Sequence, residues 1–301
     1  MTDTQPAHAK RALLLTPRGF SWPTLSWLPK GAGLILASFL LAACDAKPTA
    51  AKTRTPAEEI EHLVEALTPM PETWTSDVED AWFQNTVEVV GELRGAGPEV
   101  GREALRYLQE EGSDVIGIEI GLLTVAAFAD PEGTQPYLEE LIFEYGYAIH
   151  RRAEAVTLLA KIAPQRAVEL FDPHLRNPRQ RKTYPDAEFF VRGYIEAANK
   201  IGLDPVDLLA DVTTNIWHQD AARHFAVREL GNHPSEIGRQ ALQITLIEST
   251  GNGYLRILAA QSLVKSLPRE TACGLLATVA NREANRNFLQ FLIDVMAENC
   301  K

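Results

Sequence analysis

The chain has 301 residues, 29 of them basic and 40 acidic, for a net charge of −11 at neutral pH. An apolar share of 46% is enough for a sizeable core and excludes a disordered chain. The acidic balance works against binding nucleic acid, or an anionic membrane, through the general surface.

In chain order the first feature is an uncharged apolar run after Lys30, residues 31–43, GAGLILASFLLAA. Crossing a bilayer as a helix takes about 20 residues, so this shorter run reads as the core of a signal peptide. It ends in Leu41-Ala42-Ala43-Cys44. These four residues resemble the lipobox of bacterial lipoproteins. The resemblance implies cleavage after Ala43, a lipid on Cys44, and a domain held on the non-cytoplasmic (periplasmic) side of a cell-envelope membrane. Upstream lie Trp22 and Trp27, with positive charge only at Lys10, Arg11, Arg18 and Lys30. That leader is longer than lipoproteins usually carry. Without residues 1–43 the mature part has 258 residues, 25 basic and 39 acidic, and a net charge of −14.

Residues 44–56 form the next segment. After the cysteine they read DAKPTAAKTRTP, small, polar and Pro-punctuated, which predicts a flexible tether. From 57 to 301 apolar residues recur at helical spacing, as in Ile60, Leu63, Val64 and Leu67, then Val87, Val90 and Leu93, then Ile237, Ala241 and Ile244 ahead of Glu248. Gly and Pro separate the stripes, as at Gly97-Pro98, Asp130-Pro131, Pro164, Pro205 and Pro234. The segment Val115 to Phe128 has too many apolar residues for a half-buried strand and is predicted to be a buried helix.

One unit recurs. Arg152, Ala155 and Leu159 are spaced by three and four, and the same spacing returns at Arg223, Ala226 and Leu230 and at Arg256, Ala259 and Leu263. Arg286, Leu289 and Ile293 make a looser copy, and a blurred one is expected around Arg192, Ile195 and Ala198. The pattern resembles HEAT-type repeats, with an arginine, a small residue for close helix packing, and a leucine before the turn. The resemblance implies an all-α fold, an α-α superhelix of HEAT/armadillo-like solenoid type, because one helix pair cannot bury its apolar face alone. Tetratricopeptide landmarks are not found in register, and an irregular helical bundle is the alternative.

Chemistry is sparse. The histidines His62, His150, His174 and His233 have no partner at metal-ligand spacing, and no nucleophile elbow, phosphate loop or paired-cysteine motif occurs. No cofactor is expected. In the segment from Trp217 to His224, Asp220 and His224 stand four apart and are expected to pair structurally. With Cys44 taken by lipid, Cys273 and Cys300 remain. They can form a bridge that staples the final helix to its predecessor, or they are two separate buried thiols.

Two polar features carry the binding hypotheses. Arg176, Arg179, Arg181 and Lys182 are predicted to share an extended loop, a basic island able to hold carboxylates or phosphates. Tyr137, Phe143, Tyr145 and Tyr147 lie beside His150, Arg151 and Arg152, where two repeats meet. The reading is a membrane-anchored helical-repeat lipoprotein that acts as a protein-binding scaffold in the cell envelope, with the membrane and an envelope protein as partners and no nucleic acid. An envelope hydrolase or lyase on an α/α scaffold is the enzymatic alternative. A structural lipoprotein without a specific partner is the third.

Overall fold

A computed structural model describes residues 54–68, 85, 87–112, 115–143, 148–178, 187–249 and 251–300. Among the described residues the secondary structure is helical throughout, with no strand. The helices are α1 Pro56–Leu67, α2 Pro98–Glu110, α3 Ile116–Ala129, α4 Pro131–Phe143, α5 Ile149–Ile162, α6 Pro164–Arg176 and α7 Ala187–Ile201. They continue as α8 Val206–Thr214, α9 Asp220–Leu230, α10 Glu236–Glu248, α11 Gly253–Ser266, α12 Arg269–Ala280 and α13 Arg286–Asn299. Residues 87–93 are also helical. The leader, the lipobox with Cys44, and the tether up to residue 53 lie outside the described residues.

The predicted stops work by ordinary capping. Pro98 and Pro164 occupy the first turns of α2 and α6, where a missing N–H costs nothing. Gly97 precedes α2 at φ 100°, a backbone conformation that favours glycine. At α1, Thr55 Oγ1 accepts from the Glu58 N–H while the Thr55 N–H donates to Glu58 Oε2, a reciprocal capping box. The helix therefore opens at Pro56, one residue inside the segment read as tether. Ser235, Asn252 and Asn285 cap α10, α11 and α13 in the same chemical way.

The helices associate as consecutive antiparallel pairs, α2 with α3 through α12 with α13. Second helices of successive pairs also touch: α3 meets α5, α5 meets α7, and so on to α11 and α13. One core runs from Leu123 to Val295, and a second joins α1, residues 89–93, α2 and α3. Helix α3 supplies residues to both, which is why it is buried on nearly every side, as its predominantly apolar sequence predicts.

The Arg-Ala-Leu unit has a single geometry. Arg152, Arg223 and Arg256 sit in the first turns of α5, α9 and α11 and are each at most 7% exposed. Each Nε–H donates to a carbonyl ten residues upstream: Ile142 at 3.2 Å, Thr213 at 3.1 Å and Leu246 at 2.8 Å. Those carbonyls belong to the last turns of α4, α8 and α10, where no intrahelical donor remains. A cation there also suits the negative end of the helix dipole. The paired Ala155, Ala226 and Ala259 are fully buried, as are the leucines four residues on.

The looser copies have a different register. Arg286 is exposed, Ile293 is 45% exposed, and α13 instead buries Phe288, Leu292 and Val295. Arg192 is likewise exposed, pairing with Glu188, because α7 turns Phe190, Gly193 and Ala197 inward. A Cβ on Gly193 would come within 2.4 Å of Val156 Cγ1, so this position takes the small-residue role to its limit. In α10 the buried face is Gly238, Ala241, Leu242, Thr245 and Leu246. Ile237 and Ile244, predicted to be core, are 49% and 43% exposed, since the inward face is rotated about a quarter turn from them.

Candidate functional site

Of the predicted basic island only Arg176 is described, and it does not stand in an extended loop. It closes α6, donates from Nε to both carboxylate oxygens of Asp172 at 3.1 and 3.0 Å, and comes within 3.8 Å of Asp211 in α8. Two internal carboxylates thus engage it, because one helical turn back and the neighbouring helix both present an aspartate. Arg179, Arg181 and Lys182 lie outside the described residues.

The expected Asp220–His224 pair is not a contact. The His224 ring instead meets Tyr254 edge-on at 4.8 Å between centroids, drawn into the groove between α9 and α11, while Asp220 stays exposed. His174 is buried and lies 4.2 Å from the Phe190 ring. Its neighbour Phe143 completes that aromatic group, which belongs to the core. Cys273 of α12 and Cys300 at the end of α13 form a disulfide, with Cα atoms 5.8 Å apart.

A polar cleft lies where α2, α3, α4 and α5 converge. It encloses about 20 Å³ and is lined by Leu108, Ile120, Leu123 and Leu141 together with Tyr137, Glu119, Arg151 and Glu154. Glu119 lies 33 residues before Arg152, so it holds in α3 the place that an arginine holds in α5, and in α9 and α11. A carboxylate cannot donate to the helix-end carbonyl. Glu119, itself buried, accepts from two guanidinium nitrogens of Arg151, Nε at 2.7 Å and Nη2, and its Oε2 lies 3.3 Å from His150 Nε2. Two consecutive residues at the start of α5 thus reach back to the preceding pair.

Glu154, one turn further along α5, is the second carboxyl in the cleft and is 6% exposed. Burial pushes it up to about 7, against the pull of Lys161 and reinforced by Glu196. Sequence reasoning named Tyr137 and Arg151 of this site but missed both carboxylates. The available signal for Glu119 was a lone acid within Ile116-Gly117-Ile118-Glu119-Ile120, spaced one repeat before Arg152. Among the described residues no group of three His, Cys, Asp or Glu is placed to hold a metal ion.

The other exposed feature is apolar. Ile216 and Trp217, in the α8–α9 turn, are 75% and 56% exposed, and Ile237, Ile244 and Ile247 lie open on α10. Helices α8 and α10 touch, and Arg223 ties their ends by donating to the Thr213 carbonyl and, from Nη2, to Ser249 Oγ at 3.4 Å. No family model, curated protein or solved structure matches the chain. No helix among the described residues is long and apolar enough to cross a membrane.

Proposed function

We propose that the chain is a lipid-anchored scaffold of the cell envelope, its helix pairs stacked as a HEAT-like superhelix, that binds another envelope protein. The observation carrying the word binds is the exposed apolar surface of the Ile216–Trp217 turn and α10. Large apolar side chains left open close together on a folded chain are a feature of protein-interaction sites, and tryptophan is a preferred anchor in them. The lipobox resemblance supports the anchor at Cys44. The Cys273–Cys300 disulfide supports a domain outside the cytoplasm, since structural disulfides persist in oxidising compartments. The shared arginine geometry and the contacts between successive second helices support the superhelix.

The test is crosslinking in cells followed by affinity purification and mass spectrometry. It compares the natural chain with Ile216→Ser/Trp217→Ser and with Arg179→Glu/Arg181→Glu. One stoichiometric envelope protein, lost with the apolar double variant, is the expected result. Loss only with the arginine variant would move the dock to the basic segment, and recovery of no partner with any version would remove the binding reading.

A further inference from the structure

Glu119 and Glu154 line the same cleft but differ in their partners. The charge of Glu119 is balanced by Arg151, which also removes that guanidinium as a counter-ion for anything else in the cleft. Glu154 is nine-tenths buried, and among the described residues no hydrogen bond or ion pair engages its carboxyl. Lys161 and Glu196 act on it only at a distance, with opposite signs, and lie 3.9 Å from each other. A buried carboxyl without a partner is costly, and groups of this kind cluster at functional sites.

The shape of the cleft narrows the choice of ligand. Leu108, Ile120, Leu123 and Leu141 form apolar walls, and the innermost space of about 20 Å³, open to solvent on one side, holds roughly one water-sized group. An anion would meet a second negative charge as Glu154 ionised. A primary ammonium is water-sized, carries the right charge, and arrives on a methylene stem suited to apolar walls.

We propose that this cleft receives the ammonium group of a lysine side chain presented by the partner, with Glu154 as its counter-ion. The proposal deepens the scaffold reading and rests on it for the source of the lysine, but the cleft chemistry can be tested without any partner. Binding requires the Glu154 carboxylate, so complex formation expels its proton, and affinity falls as pH drops below about 7. Among the described residues, the other ionisable groups facing this region are Glu119, His150 and Arg151, which contact one another, with Tyr137 in the wall and Lys161 and Glu196 beyond.

The experiment is calorimetric titration of the purified full chain with N-acetyl-lysine methylamide and with its uncharged norleucine counterpart, at pH 8 and pH 6. The lysine probe is expected to bind at pH 8 and about tenfold more weakly at pH 6, in proportion to the ionised fraction of Glu154. At pH 6 its heat should depend on the buffer, reporting proton release, and the norleucine probe should not bind. Glu154→Gln, which keeps the neutral shape, should retain the helical circular dichroism and lose the lysine response. Absence of lysine binding at pH 8, equal binding of norleucine, or full binding by Glu154→Gln would each overturn the proposal. None of those results bears on whether crosslinking recovers an envelope partner.

Discussion

Positions 119 and 256 hold the same place in their helix pairs and carry opposite charges, and the contrast separates structure from candidate function. Arg256 is complete within the fold: Nε caps the Leu246 carbonyl, Nη2 pairs with Glu283 at 2.5 Å, and the guanidinium lies 3.9 Å from the Phe288 ring centre. Glu283 belongs to the connection before α13, so one side chain ties its own pair to the next. Burial pushes the Glu283 carboxyl up, but hydrogen bonds from Arg256 and backbone amides outweigh it and hold it below the ordinary range. Glu119 cannot cap a helix-end carbonyl; it engages Arg151 and His150 instead, which helps to shape a cleft with Glu154 on its wall. An arginine in this register closes a repeat; an acid in the same register opens one.

Breaking the closed end should have the largest effect. Arg256→Ala removes a buried side chain that caps the Leu246 carbonyl, pairs with the partly covered Glu283 and packs on Phe288, and together about 3–5 kcal/mol of stability should be lost in urea unfolding followed by circular dichroism. Arg256→Met with Glu283→Gln should recover much of it, since no charge is then stranded. Second in size is the disulfide. Cysteines 27 residues apart constrain the unfolded chain by about 3–4 kcal/mol, so Cys273→Ser/Cys300→Ser should unfold earlier by that amount. Hydrogen exchange should place the first loss of protection in α12 and α13, the last pair, which the bridge secures.

The cleft end behaves differently because its cost depends on pH. Glu154 titrates near 4.5 when unfolded and near 7 when folded. Between these values the folded state binds more protons, so stability is full below about 4.5 and falls as pH rises through about 7, by up to about 3 kcal/mol. Glu154→Gln should flatten that part of the stability profile and be the more stable chain at pH 8. The smallest effect sharpens the comparison between pairs. Gly193→Ala puts a methyl against Val156 and Phe171 and should cost about 1–3 kcal/mol in thermal unfolding, by overpacking the α5–α7 contact.

The sequence revealed the repeat where its chemistry was most constrained. Arginine, alanine and leucine at fixed spacing are hard to replace when the arginine must reach a carbonyl and the alanine must let two helices approach, as at 152, 223 and 256. Where another side chain serves the same place the pattern vanishes. Phe190 with Gly193 fills it by volume, Glu119 by reversed charge, and Leu289 in α13 by plain apolarity, while Arg192 and Arg286 face solvent as decoys. Periodicity also misplaced the buried face of α10, because Ile237 and Ile244 fall at helical spacing with Ala241 while Gly238, Leu242, Thr245 and Leu246 complete the face that turns inward. Glu154 could not be recognised from its neighbours in sequence, since its environment comes from four helices.

An exported, anchored scaffold requires a lipid on Cys44. Intact-mass spectrometry of the chain recovered from the membrane fraction tests it directly, with Cys44→Ser alongside. The predicted result is a chain that begins at Cys44 and carries the added mass of a diacylglyceryl group, with no such processed, lipid-bearing form in Cys44→Ser. A chain that keeps residues before Cys44, or one that begins there with an unmodified thiol, would contradict it.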